Sequence, residues 1–216
     1  MRSANPEGFR SIPSATGGIA RLACARMREA GKGTAAVLSG AGPSSWTIRP
    51  FVLRCARKSS SWNWQQELQD DFLGFHLARS FDLREIGLLY YVMASSGLLA
   101  DALRNAERYS RINNEGIRLH FRSDRATVIA LDYLNVDRGS DRHQIEFWLT
   151  ALVRIRRQLT NNRLAPRKLT VRHFRDNSPA EYKLFLASDV EFGAEADEIV
   201  FRNRSLLFRL LGPTLT

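Results

Sequence analysis

Between residues 141 and 160 apolar side chains recur every three or four positions: Ile145, Trp148, Leu149, Leu152, Ile155 and Leu159. That period belongs to an amphipathic helix, the longest that the chain predicts. Asp141 and Gln144 form a capping-box pair at its start. A stripe of this length must be buried against other elements, and the chain supplies them in a different period. Ile117, Leu119 and Phe121 alternate with Arg118, His120 and Arg122. After the polar turn Ser123-Asp124-Arg125, Thr127, Ile129, Leu131 and Tyr133 alternate again, which predicts a β-hairpin.

The rest of the middle of the chain is equally patterned. Leu68, Phe72, Phe75, Leu77 and Phe81 predict a short helix followed by an extended stretch. Asp82 with Glu85 opens a helix through Ile86, Leu89, Tyr90 and Met93, and Ser95-Ser96-Gly97 breaks it. A further helix carries Leu99, Ala102, Leu103, Ala106 and Tyr109. Leu169, Val171 and His173 read as a strand. Ser178-Pro179-Ala180-Glu181 reads as a helix start, with Tyr182, Phe185 and Leu186 on the buried side. Val190–Phe192 and Glu198–Phe201 are two brief strands. Helices, hairpin, helix, strand, helix and strands in that order predict an α+β fold with a mainly antiparallel small sheet packed with several helices.

The ends differ from the middle. Ile19, Leu22, Ala23, Cys24 and Met27 give a loose helical face over about 14–30, with Ser14 or Thr16 as cap and Gly31 as stop. Residues 41–66 fit no period; Pro43, Pro50 and two serine clusters interrupt them, around Trp46, Trp62 and Trp64. The expected organisation is therefore a weakly patterned segment over 1–66, a domain over 67–201 and an irregular tail over 202–216.

Charge follows the same division. The net charge is +10, which invites a nucleic-acid reading. Residues 1–66 hold 10 Lys and Arg against 2 Asp and Glu, and 202–216 add Arg202, Arg204 and Arg209 with no acid. The patterned middle is close to neutral and gains little from counterion release. No apolar run approaches the ~18 residues of a membrane span, and no secretory leader is evident. Two cysteines, Cys24 and Cys55, make neither a disulfide framework nor a four-ligand zinc site. The expected setting is cytoplasmic.

Motifs for phosphate cradles, zinc proteases, serine hydrolases and dinucleotides are absent. The four histidines lack a second His or Cys at metal-ligand spacing. His120 and His173 read as sheet-face or surface residues. His143, at a helix start near Glu146, reads as solvent-facing or as a ligand contact. Arg154, Arg156 and Arg157 read as a solvated helix face near a C-terminus, which is favoured, or as an anion-binding spot or a subunit contact. Tyr90, Tyr91, His143, Phe147 and Trp148 are the candidate ligand-binding residues, although aromatics at this spacing also serve as core. No catalytic residues, metal or cofactor are expected.

The stretch FLGFHLARSFDLREIGLLYYVMASSGLLADALRNAERYSRINNEG (72–116) resembles the N-terminal, arabinose-binding-like sensor domain of AraC/XylS-family transcription regulators. The resemblance continues through SDRHQIEFWLTALVRIRRQLT, LAPRKLTVRHFRDNSPAEYKLFL and DVEFGAEADEIVF, and weakly over 12–40. It implies an α+β, non-catalytic domain that binds a small-molecule effector, an amino acid or small carboxylate among the options, and that forms a homodimer. It also implies a following DNA-binding domain with two helix-turn-helix units, for which this chain has no room. DNA is then a partner only through that missing domain.

Residues 41–66 and 202–216 depart from the family pattern abruptly, and both are basic. One expectation is a reading frame that slips near 42, returns near 66 and slips again near 202, leaving a truncated chain with Leu68 and Phe72 uncovered. Such a chain would pair with a full-length relative and act as a decoy. The alternative function is a basic nucleic-acid-binding module that uses the charged ends.

Overall fold

The structure, a computed structural model, describes residues 14–15, 18–34, 53–54, 65–134, 142–161, 164–177, 180–202 and 207–210. Strand β1 (Ser14–Ala15) pairs antiparallel with β2 (Leu53–Arg54), so part of the segment expected to be irregular is a strand. Trp46, Trp62, Trp64, Asp141, Ser178 and Pro179 lie outside the described residues. Helix α1 (Gly18–Glu29) is stopped by Gly31, which takes a positive φ, as its sequence predicts. The N–H groups of Gly31 and Lys32 return to the carbonyls of Arg28 and Met27 at 3.0 and 2.9 Å, the Schellman arrangement. Met27 and Ala23 are buried.

Helix α2 (Leu73–Ser80) follows a helical turn at 65–68. Lys32 donates to the Glu67 carbonyl and ties the end of α1 to that turn. Leu68 and Phe72 pack against the core and are not left uncovered. The helix expected from Asp82 is split in two. Asp82 caps a 3-10 turn (Leu83–Ile86) by accepting from the Arg84 N–H at 2.9 Å. Gly87 then takes φ +76, a conformation costly for any residue with a Cβ, and α3 (Leu88–Ala94) starts afresh. Helix α4 (Leu99–Asn113) comes next.

Strands β3 (Ile117–Ser123) and β4 (Thr127–Tyr133) form the expected hairpin. After α5 (Arg142–Leu159) come β5 (Lys168–Val171), α6 (Ala180–Leu186), β6 (Val190–Phe192) and β7 (Asp197–Phe201). The sheet order is β3-β4-β7-β5-β6, antiparallel except for β5 beside β6. The α+β expectation holds. Segment 207–210, within the expected irregular tail, is hydrogen-bonded to the start of α4: Leu99 N–H to Phe208 O and Leu210 N–H to Gly97 O, both 3.0 Å.

Helix α5 departs from a one-sided stripe. Phe147, Ala151 and Val153 are buried along with Ile145, Trp148, Leu149, Leu152, Ile155 and Leu159. The helix has the sheet on one side and α2 on the other, so it is covered nearly all round. Trp148→Ala is expected to cost about 3 kcal/mol, the low end for a buried aromatic, because the indole is 8% exposed and its N–H has no partner. Urea unfolding that shows less than about 1 kcal/mol lost would take this face of α5 out of the core.

Candidate functional site

A deeply buried carboxylate sits on α5. Glu146 is 2% exposed, and each of its carboxylate oxygens is held. Arg175 donates Nε to Oε1 at 2.6 Å and Nη2 to Oε2 at 2.8 Å. His173 Nε2 lies 2.9 Å from Oε1. The two partners follow β5, so the clamp fastens the end of that strand to the long helix. Arg175 Nη2 also donates to the Asp71 carbonyl at 2.6 Å, and its guanidinium lies 4.0 Å from the Phe72 ring centroid. One arginine thus joins α5, the β5 exit and the entry to α2. Burial pushes the Glu146 carboxyl upward, but hydrogen bonds from His173 and Arg175 outweigh it and hold it below the usual carboxylate range.

Tyr182, on α6, is 2% exposed with its hydroxyl beside Glu146 but in no well-formed hydrogen bond. Burial, and then the Glu146 charge, raise its pKa well above the ordinary value, so it stays protonated. Leu149, Thr150, Leu169, Val171, Leu186, Val190 and Phe192 join Glu146 and Tyr182 around a void of about 10 Å³. That is the size of one water, far below a ligand cavity of roughly 300–1,000 Å³. That void has no room for a ligand of such size.

His143 stands at the first turn of α5. It is 2% exposed and does not face solvent, because α2 approaches its backbone at Gly74. Its Nε2 lies 3.1 Å from Gln65 Oε1, and its Nδ1 is buried without a partner. Burial pulls its pKa down to about 4; the charge of Glu146 opposes this, and those of Arg142 and Arg175 add to it. The ring is neutral at pH 7. An unfolded histidine titrates near 6.5, so between the two values the unfolded chain binds more protons and stability falls on acidification. From pH 7 to 4.5 His143 is expected to contribute a loss of about 2 kcal/mol. Urea unfolding of His143→Gln at both pH values should show that loss removed, while the acid dependence due to Glu146 remains. An equal pH dependence in both proteins would refute the assignment.

The other candidates do not gather around that void. Tyr90 is buried, and its hydroxyl accepts from Gln158 Nε2 at 2.8 Å. Tyr91 is half exposed and meets Tyr90 edge to face at 5.5 Å. Phe147 packs on Phe81 at 5.1 Å, and Trp148 lies edge-on to Phe147 at 6.2 Å. His173 is not a sheet-face histidine, because it sits past the end of β5 with its side chain on Glu146. His120 is in β3, near Glu107 and Asp132.

The arginines of α5 depart from a solvated face. Arg154 reaches back to α2 and donates to the carbonyls of Ala78 and Phe81 at 2.6 and 2.8 Å. Those are end-of-helix carbonyls that lack helical partners. Arg157 lies over the Phe185 ring. Arg156 is 2% exposed. Nearer the surface, His76 Nδ1 is 2.8 Å from Asp70 and its Nε2 is 2.8 Å from Glu181, which also accepts from Arg79 at 2.7 Å. Among the described residues no group of His, Cys, Asp and Glu is placed to hold a metal, and no helix is long and apolar enough to cross a membrane.

The sequence carries the pattern of a transcription regulator's N-terminal domain family. The model of the arabinose-binding N-terminal domain of AraC transcription regulators matches residues 62–210. The chain belongs to that family. The match extends past 202, where the family pattern was expected to end, and does not include 12–40. Transcriptional regulator CdpR from Pseudomonas aeruginosa has a similar structure, with a TM-score of 0.53 and 15% identity over 63% of this chain and 45% of that one. The likeness is one of fold, and this chain spans less than half of that regulator. No curated protein matches the sequence.

Proposed function

We propose that residues 62–210 receive a small-molecule effector and respond by a change in the packing of α5, and that the domain self-associates. The family match over 62–210 carries this reading. The form of the interior supports it. Glu146, His173 and Arg175 tie one helix to the β5 exit and the entry to α2, beside a void of about 10 Å³ that Tyr182 of α6 also lines. A ligand entering beside such a clamp must move it, and the clamp joins α5, the β5 exit and the entry to α2. Basic surplus outside 67–201 does not bear on this role.

A thermal-shift screen of amino acids, small carboxylates and neutral sugars tests the proposal. A true effector binds the folded state alone and raises the melting temperature saturably by mass action. Sedimentation in the presence and absence of that compound reads the association. If none of the compounds shifts the melting temperature, effector sensing by this chain is refuted.

A further inference from the structure

Arg156 is the one buried cation of α5 that its surroundings leave unanswered. It stands four residues after Leu152 and three before Leu159, in register with the apolar stripe that meets the sheet. Nε, Nη1 and Nη2 are all out of contact with solvent, and none has a hydrogen-bond partner. The guanidinium carbon lies 4.8 Å from the centroid of Phe201, the last residue of β7. That cation–π contact covers one face of the group and satisfies none of its five N–H donors. The charge acting on it is that of the cation Arg157, and no carboxylate offsets it. Burial, with Arg157 adding, pulls its pKa down to about 10, so it is still charged at pH 7.

The contrast with the rest of the helix is internal to this molecule. Arg154 is buried to a lesser extent and finds two carbonyls. Arg175, whose side chain is 4% exposed, finds a carboxylate and a carbonyl. A buried charge is ordinarily paired, because stripping water from an ion costs more than one ring contact returns. The planar fork matches a carboxylate or phosphate with two parallel hydrogen bonds, and that geometry is the strong one for arginine.

We propose that Arg156 is an anion receptor, and that the missing counter-charge is a small oxyanion, a carboxylate or a phosphate, gripped by its fork at the end of β7. This rests on the effector reading and narrows the effector to an anion. Since the nitrogens are closed off in this state, capture requires α5 and the Phe201 end of the sheet to part, which couples the site to the helix–sheet packing.

The test uses the full chain in sodium chloride at constant ionic strength, with sodium acetate, sodium succinate and sodium phosphate replacing chloride in turn. At least one is expected to raise the melting temperature saturably, by about 5–10 °C at a hundredfold excess over Kd. Acetate and succinate against phosphate tell carboxylate from phosphate. Arg156→Met should abolish the shift, and Arg157→Gln should retain it. Arg156→Lys keeps the charge without the fork and should weaken the response at least tenfold. If Arg156→Met does not fold, the 15N resonance of the Arg156 side chain in the unsubstituted chain answers instead, moving saturably with the anion. Neutral sugars that stabilise the chain while no anion does would overturn the anion receptor and leave effector sensing standing. An anion response unchanged in Arg156→Met, or a static side-chain resonance, would also overturn it. Silence from every compound would remove both readings.

Discussion

Gly74→Ala is expected to cost about 4 kcal/mol or more, or to prevent folding altogether. In an isolated helix the same change would gain about 1 kcal/mol, since glycine is a poor helix residue. Here the sign reverses because α2 and α5 touch backbone to backbone. A Cβ at residue 74 would fall on the His143 carbonyl group, with the carbonyl carbon at 2.7 Å and Cα at 2.8 Å. Neither is the end of a flexible side chain, so the helices must separate. Their separation would open the contacts of Phe75, Ala78 and Ile145, each 0% exposed, and a tightly packed interior has no slack to absorb it. Circular dichroism and urea unfolding of Gly74→Ala beside Gly97→Ala measure the effect; a Cβ at 97 meets nothing within 4 Å. If the two variants are equally stable, α2 and α5 do not meet as described.

Glu146→Ala is expected to cost about 3–5 kcal/mol, the range for breaking a buried pair and stranding its partner. The carboxylate side chain is 1% exposed, and its partners Arg175 and His173 are 4% and 8% exposed. After truncation Arg175 keeps the Asp71 carbonyl and the Phe72 ring but has no counter-charge. In an Arg175→Met background the same truncation should cost far less, because no cation is left behind. A double-mutant cycle should therefore return a coupling above about 1 kcal/mol. A coupling near zero would show that the clamp is not closed in solution. The sign with pH also follows. Glu146 titrates below the usual carboxylate range in the fold. Its contribution is thus present at neutral pH and is lost as pH falls through the folded value.

The elements that local pattern decides were legible. The period of α5 and the alternation of β3 and β4 place Ile145, Leu149, Leu152, Leu119, Ile129 and Leu131 inside, and there they are. Where pattern failed, a residue carried a second meaning. Gly87 lies between apolar residues that continue the helical spacing, yet its positive φ splits the helix. Arg156 reads as a solvated charge, although its position four after Leu152 and three before Leu159 was a visible sign of burial. Gly74 inside a helix was another sign, since glycine there is costly unless something must come close. The candidate aromatics Tyr90, Phe147 and Trp148 were read as core or ligand contacts, and the structure buries them.

The Glu146 clamp was not legible. Its members lie 27 and 29 residues apart in sequence, and Asp71 lies 104 residues from Arg175. No local spacing links them. Periodicity by itself determined which faces are apolar, hence the helices, the strands and their α+β order, because burial of apolar surface is non-directional and needs only a face. Which charges meet, which arginine is left without one, and how near α5 lies to α2 were decided only by the tertiary structure. Ion pairs and backbone contacts depend on distances of a few ångströms between segments far apart in the chain, and those distances exist only once the layers have packed.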